Sequence, residues 1–329
     1  MIFPVANKRP DMFLPSGSNA RIAVVGATSH LARDFILTAE AAFAPDFRLY
    51  ARRPQVVSEF LARHELSGRF PVRSLDEFGR EEYTAVINFI GVGDPSRAKA
   101  MGAEIFSATR IMDQIVLDYL ICNPRTTYIF MSSGAVYGTN YAVPVNANSQ
   151  AEFPINNLHS SNYYSVAKFY AEALHRSYEN LNILDIRIFN YFSRSVDLSA
   201  RFLITDMVNA IRSGAIFATD SSPVVRDFLH PDDFCRLIRA CLNAPAGTNM
   251  PIDAYSQSPI SKDKLLVLLA EEFSLRYQII SDIETVNATG AKPFYYSTNR
   301  RAASLGYSPS HSSRNGIIKE ISAILEKGN

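Results

Sequence analysis

Cysteine, excess charge of one sign and long apolar runs are all scarce in this chain, and each scarcity removes a class of protein. Only three cysteines occur, Cys122, Cys235 and Cys241, at spacings that fit neither a disulfide framework nor a CxxC metal site. They fall in segments that read as apolar helices, so buried thiols in a reducing cytosol are expected. Lys and Arg total 33 against 32 Asp and Glu, a net charge of +1, with no run of like charge to follow a phosphate backbone. Nucleic acid is not an expected partner, and no metal site is expected. No stretch approaches the ~18 apolar residues of a membrane span. The start, MIFPVANKRPDMFLPSGSNA, lacks the basic-then-apolar order of an export signal. The expectation is a cytoplasmic protein without membrane contact.

What is present is an ordinary globular balance, 47% hydrophobic and 20% charged over 329 residues. Short β-branched or aromatic runs alternate with longer stretches at helical spacing. The runs Arg21 to Val25, Phe47 to Tyr50, Thr84 to Ile90, Thr127 to Met131 and Ile183 to Phe189 read as buried parallel strands. Between them, Leu31 to Ala42, Val56 to Leu66, Ile105 to Ile121 and Tyr163 to Tyr178 read as helices. This rhythm predicts a Rossmann-like doubly wound α/β sheet over 21–190. An irregular arm covers 1–20. A smaller mixed α/β substrate lobe fills 191–329, parts of which return to the core. Within it, helices are expected at Phe202 to Ser213, Asp232 to Asn243, Lys262 to Phe273 and Gly316 to Lys327. Strand-like pieces are expected at Arg226 to His230, Pro251 to Ala254 and Tyr277 to Ile280.

The turn after the first strand reads Gly26-Ala27-Thr28-Ser29-His30-Leu31-Ala32. A turn opening a helix can hold a pyrophosphate on its N–H groups. Of the three glycines of a GxxGxxG loop only Gly26 remains, so an ordinary strand-to-helix turn reads equally well from this motif alone. The second strand ends Tyr50-Ala51-Arg52-Arg53, without the acid that would accept ribose hydroxyls. Two guanidiniums suit a 2'-phosphate and favour NADP over the alternative, NAD; a solvated basic turn is the bland reading.

Tyr164 and Lys168 stand four residues apart on one helix face, one turn from each other. An ammonium about 4 Å from a phenol, at an effective dielectric of ~20, supplies the ~4 kcal/mol needed to bring a tyrosine toward neutral pH. The run Ser132 to Gly138, SSGAVYG, leaves the fifth strand, where the Ser133 hydroxyl could bond the oxygen that Tyr164 protonates.

Together with SNYYSVAK and Glu172, IRIFN (Ile186 to Asn190), RDFLHPDD (Arg226 to Asp233) and LGYSP (Leu305 to Pro309), these motifs resemble the extended short-chain dehydrogenase/reductases. More narrowly, the chain is similar to their NAD(P)-dependent sugar-nucleotide epimerase/dehydratase group, from about Arg21 to the C-terminus. The resemblance implies catalytic Ser133, Tyr164 and Lys168, with Lys168 and Tyr164 also at the nicotinamide ribose. It implies Gly26, Thr28, Ser29, His30, Leu31, Arg52, Arg53, Asn88 and Gly91 around the cofactor. It implies Ser133, Tyr137, Asn190 and Arg226 around a nucleotide-linked sugar, the last two at its diphosphate. His230 reads as a structural hydrogen-bonder in a turn.

Three departures qualify the match. Gly134-Ala135 stands where related 4,6-dehydratases carry an acidic pair, which argues against dehydration. Tyr191-Phe192-Ser193 replaces the usual Tyr-Gly-Pro, and Arg73-Ser74 replaces an acid near the adenine. The implied activity is NADPH-dependent reduction of a 4-keto nucleotide-linked hexose, with a place in polysaccharide biosynthesis. An NAD-dependent 4-epimerase and a dinucleotide-binding regulatory protein without catalysis stand as alternatives. Ile105 to Ile121 and Tyr163 to Tyr178 carry more apolar and aromatic residues than one buried stripe needs, and the resemblance implies a homodimer in which these helices pair with their copies.

Overall fold

The computed structural model describes residues 20–92, 98, 100–280 and 292–326. Apart from residue 20, the arm expected at 1–20 lies outside them. Six strands alternate with helices through the first half: β1 (Arg21–Val25), α1 (His30–Phe43), β2 (Asp46–Ala51), α2 (Pro54–Arg63), β3 (Val72–Ser74), β4 (Ala85–Asn88), α3 (Glu104–Cys122), β5 (Thr127–Ser133), α4 (Ser160–Ser177) and β6 (Asn182–Ile188). The second half adds β7 (Asn190–Tyr191), α5 (Leu203–Ser213), β8 (Ile216–Thr219), β9 (Val225–Arg226), β10 (Phe228–Leu229), α6 (Pro231–Leu242), β11 (Asn249–Asp253), β12 (Ile260–Ser261), α7 (Lys262–Phe273), β13 (Arg276–Ile279), β14 (Phe294–Tyr295) and α8 (Ser313–Glu326).

The large sheet has seven strands in the order β11-β6-β5-β4-β1-β2-β3, and every pairing is parallel. This is the Rossmann-like sheet expected. Its order reverses between β1 and β4, the place where such a sheet opens a crevice at the strand C-termini. One face packs Phe35, Ile36, Phe234, Leu237 and Ile238 of α1 and α6 onto the sheet; the other packs Met112, Val116, Leu117 and Ala171 of α3 and α4. A separate core joins α5, α7 and α8 through Met207, Val208, Leu265, Leu269, Ile317 and Ile321.

Several local readings differ from the outcome. The strand-like piece at Arg226 to His230 is two short strands in different sheets, β9 beside β12 and β14, and β10 beside β7. Asp227 breaks them, because its buried carboxylate turns inward to accept from the Ser256 backbone N–H and hydroxyl. The expected Pro251 to Ala254 piece begins two residues earlier and is the seventh strand of the large sheet, paired along β6. Helix α4 starts at Ser160, three residues before the expected point, because Asn162 Oδ1 accepts the His159 N–H at 3.1 Å and caps the first turn. Buried thiols hold for Cys235 and Cys241 only; Cys122 is exposed at the end of α3, where the helix's buried stripe has turned away.

Candidate functional site

The crevice is built from five strand ends. After β1, Gly26 adopts φ +82°, and a Cβ there would meet Ile90 at 2.8 Å, so the one glycine kept from the loop sits where side chains are excluded. Its N–H and that of Ala27 bind the Tyr50 carbonyl at 2.9 and 3.1 Å, tying the turn to β2. Ser29 takes extended backbone and caps α1, its hydroxyl accepting the Ala32 N–H at 3.2 Å. Thr28, His30 and Leu31 are half-buried beside it. The His30 ring is drawn sideways, with Nε2 2.7 Å from Ser193 Oγ and 3.1 Å from Asp34. Burial would push the Asp34 carboxyl up, but His30, Ser193 and Ser195 more than reverse this and hold it below its ordinary range. The replaced Tyr191-Phe192-Ser193 segment is thus locked onto α1, and Tyr191 also donates to Asp34 at 2.8 Å.

Arg52 and Arg53 are both exposed at the end of β2. Among the described residues neither side chain has a hydrogen-bond or ion-pair partner. Arg33, one turn into α1, joins them. Its Nε is buried without a partner, and burial, Arg63 and Arg53 together lower its guanidinium's pKa. Sequence spacing did not single out Arg33, because it is hidden inside a helix.

At the end of β4, Asn88 is buried; its amide donates to Tyr128 Oη and its Oδ1 accepts the Ile90 N–H, both at 2.9 Å. Gly91 follows, and a Cβ there would lie 3.2 Å from Lys168 Nζ. Lys168 is 2% exposed, donates to the Met131 carbonyl at 2.7 Å and lies 4.3 Å from the Phe130 ring centre. Burial lowers its pKa to about 8 against the pull of Asp113, Asp185 and Glu172. Tyr164 lies half-buried on the same helix, pushed up by burial and drawn partly back by the Ser133 hydroxyl. No hydrogen bond joins Tyr164 to Lys168. The direct lowering of the phenol expected from the spacing is not the arrangement found, because the Lys168 ammonium is taken up by the Met131 carbonyl of β5. Tyr163 points elsewhere and packs on Phe106, ring centres 5.4 Å apart.

Ser133 caps the turn after β5, its Oγ accepting the Ala135 N–H at 3.2 Å, and lies 3.4 Å from Tyr295 Oη. At Gly134 a Cβ would stand 2.3 Å from Phe189, so this turn has no room for the dehydratase-type acid. The Tyr137 hydroxyl is committed away from the cleft, to Asp253 at 2.9 Å and Arg187 at 2.8 Å. Asn190 donates to the Tyr295 carbonyl at 3.1 Å. Arg226 donates to the backbone carbonyl of Lys292 at 2.7 Å, and the Lys292 ammonium lies 4.7 Å from the Tyr295 ring centre. Burial lowers Arg226 to about 10, and burial with Arg226 nearby lowers Lys292 to about 8. Neither has a carboxylate partner among the described residues. Lys292 and Tyr295 escaped the sequence reading because no fixed spacing ties them to the motifs.

His230, Asp232 and His311 are close enough to be weighed as metal ligands. Both His230 nitrogens are engaged, by the Asp232 N–H at 3.1 Å and by Glu320 at 3.1 Å, and Lys319 sits on Asp232 at 2.8 Å. The trio is a structural contact that ties the start of α6 to α8 and the segment before it.

A parallel Rossmann-like sheet, with a serine, tyrosine and lysine gathered where its strands end, defines a dinucleotide-binding protein of the short-chain dehydrogenase/reductase type. The sequence profile of the NAD dependent epimerase/dehydratase family matches residues 49–253, and the chain belongs to that family, the extended sugar-nucleotide group of this type. Among solved structures it is similar to a UDP-glucuronic acid 4-epimerase mutant from Bacillus cereus in complex with UDP-4-deoxy-4-fluoro-glucuronic acid and NAD (TM-score 0.74, 15% identity, 93% of this chain and 99% of that one). It is similar to the UDP-glucose 4-epimerase of Thermotoga maritima with UDP-glucose (0.74, 15%, 94% and 100%). The dTDP-glucose 4,6-dehydratase of Bacillus anthracis in complex with NAD is a further neighbour (0.73, 14%, 94% and 97%). At these identities the likeness concerns the fold. No curated protein matches the chain.

Proposed function

We propose that the protein reduces the 4-keto group of a nucleotide-linked hexose with NADPH in the cytoplasm. The observation that carries this reading is Arg52 and Arg53 at the end of β2 with Arg33 of α1, three cations without acidic partners among the described residues and of a kind that suits a 2'-phosphate. The residues fit a dinucleotide: Gly26 and Gly91 stand where a side chain would crowd Ile90 and the Lys168 ammonium, and Arg33 Nε is a buried donor in want of an acceptor. Gly26, Thr28, Ser29, His30 and Leu31 would hold the pyrophosphate, Arg52 and Arg53 the ribose phosphate, and Asn88, Gly91 and Lys168 the nicotinamide end. When bound, the nicotinamide supplies hydride to the sugar's C4. Tyr164 gives its proton to the C4 oxygen, leaving a phenolate that takes a proton back from solvent. Ser133 donates a hydrogen bond to the same oxygen, where negative charge gathers. Arg226, Asn190 and Lys292 hold the diphosphate of the substrate.

Turnover of 4-keto sugar nucleotides with NADPH tests the reading. Tyr164→Phe is expected to cut kcat by about 100- to 10,000-fold with dinucleotide binding kept. Tyr163→Phe should keep most of the rate, and the reverse ranking would overturn the assignment.

A second reading, NAD-dependent 4-epimerisation, is supported by the epimerases among the structural neighbours, one in complex with a UDP-sugar and NAD and one with UDP-glucose. Tightly held NAD in the purified protein would favour it, and binding without turnover would favour a regulatory protein. The proposal includes a homodimer. Ile111, Ile115, Ile121, Phe169 and Tyr170 of α3 and α4 are 44–57% exposed, an apolar face for a second copy. A sedimentation mass that stays at the 36.6 kDa monomer at every concentration would remove it.

A further inference from the structure

The Ser133 hydroxyl has two lone pairs and one proton, and the surrounding groups determine where that proton can point. One lone pair takes the Ala135 N–H at 3.2 Å. On another side Tyr295 Oη lies 3.4 Å away. That contact is long for an O–H···O bond, and bonds of this kind tighten when a substrate closes the site. The Ser133 hydroxyl also draws the Tyr164 phenol partly back toward its ordinary value. The Tyr295 ring is clamped edge-on between Tyr141 (4.9 Å, 73°) and Phe189 (5.2 Å, 61°). Tyr141 is itself fixed, donating to the Gly134 carbonyl at 2.6 Å in the same turn. The titratable and charged groups facing Tyr295 are Tyr164, Tyr141, Arg226 and Lys292. Burial pushes the Tyr295 phenol well above its ordinary value, so it keeps its proton through the working pH range.

We propose that Tyr295 is a positioning residue that donates to Ser133 and thereby aims the Ser133 proton at the oxygen shared with Tyr164. With the Ala135 N–H and the Tyr295 O–H both donating, both lone pairs of Ser133 are filled. Its proton then has one direction left, toward the Tyr164 phenolate or the sugar oxygen. Tyr295 acts only through Ser133. The inference rests on Ser133 and Tyr164 being the proton-handling pair of the proposed function.

Tyr295→Phe removes the oxygen and keeps the clamped ring. Tyr164 ionisation is read without substrate, from the tyrosinate absorbance of each protein minus that of its Tyr164→Phe counterpart, with oxidised dinucleotide present. In the Tyr295→Phe background the Tyr164 transition is expected to move up by roughly 0.5 to 1 pH unit, as the Ser133 proton loses its aim. With a 4-keto sugar nucleotide, kcat should fall about fivefold while KM for the dinucleotide stays unchanged. In a Ser133→Ala background the same substitution should do nothing further. An unmoved Tyr164 transition, or an equal loss with and without Ser133, would overturn the proposal. If the unmodified protein turns over no such substrate, the functional reading falls while the titration still decides the role of Tyr295.

Discussion

Two groups of charges flank the ends of the same strands, and they are treated in opposite ways. Beneath α4 the buried carboxylates are each answered by a cation. His175, fully buried, holds Asp113 at 3.0 Å and Asp185 at 2.6 Å. Asp185 also takes Arg176 at 2.5 Å, and Glu172 takes Arg187 at 2.5 Å and the Ser132 hydroxyl at 2.5 Å. Facing the crevice, Arg33, Arg52, Arg53, Arg226 and Lys292 have no carboxylate among the described residues. A buried charge without a partner costs stability, so a chain that keeps several in one cleft is carrying them for something outside itself. The partnered group is scaffold, and the unpartnered group is where the proposed function sets its anionic ligands.

The largest expected effect would come from breaking the scaffold. Burial alone would lower His175, but Asp185 and Asp113 overcome it and raise the imidazolium to about 10 from an ordinary 6.5. His175→Gln leaves two buried carboxylates facing a neutral amide and should cost about 3 to 5 kcal/mol. A folded-state value above the unfolded one means the stabilisation is complete below pH 6.5 and lost as pH rises toward 10. Lys168, lowered to about 8, works in the opposite sense above that pH, so the informative quantity is the gap between the unmodified protein and the variant. Urea midpoints from pH 6 to 10 should show that gap closing. A constant gap would mean that His175 is neutral when folded.

Removing cations from the cleft should do the reverse. Arg226→Gln with Lys292→Met is expected to weaken binding of UDP or dTDP by about 100-fold or more, since each charge-assisted hydrogen bond is worth ~1.5 to 3 kcal/mol. The urea midpoint should hold or rise, because buried unpartnered charge has been taken away. A fall in stability with binding intact would place these residues in the scaffold and dissolve the distinction. Isothermal titration and a denaturation curve on one preparation decide it.

Sequence made the scaffold's line of elements and the core of the site legible, and it did so through local chemistry. Ser133 closes a strand run, Tyr164 and Lys168 share a helix face, and Gly26 marks the turn where φ must be positive. Residues that act across long separations were not legible. Tyr295 reaches Ser133 from more than 150 positions away on β14, Lys292 lies over the Tyr295 ring from the segment before it, and no period links either to the motifs. The pairing of His175 with Asp113 and Asp185 is equally silent, since it joins three different elements. Strand β8 was missed because Ile216 and Phe217 sit in four residues of mostly exposed chain, too short for an alternation to show, and it gains its order from pairing with β13. Helical spacing sets Tyr164 and Lys168 one turn apart, but the reach of the Lys168 side chain does not follow from it, because a flexible stem is set by its surroundings and not by its spacing.

The rim of the crevice gives the mildest test of the comparison, since its cations stand partly in water. Arg52 and Arg53 are exposed, so neither strains the fold, and Arg52→Ala with Arg53→Ala should leave the urea midpoint unchanged. What they would lose is a 2'-phosphate. One charge-assisted hydrogen bond favours NADPH over NADH by ~10 to 100-fold, and the double substitution should erase that preference by weakening NADPH while leaving NADH nearly where it was. Arg33 sharpens the result. Its Nε is buried and unpartnered, and it repels Arg53 and Arg63, so Arg33→Met should raise stability slightly while it lowers NADPH affinity. That pairing of a gain with a loss is the signature of a charge kept for a ligand. Equal affinities for NADPH and NADH in the unmodified protein, measured by fluorescence titration at low salt, would end the argument. The arginines would then be an ordinary solvated turn, and the epimerase reading with NAD would take the place of the reductase.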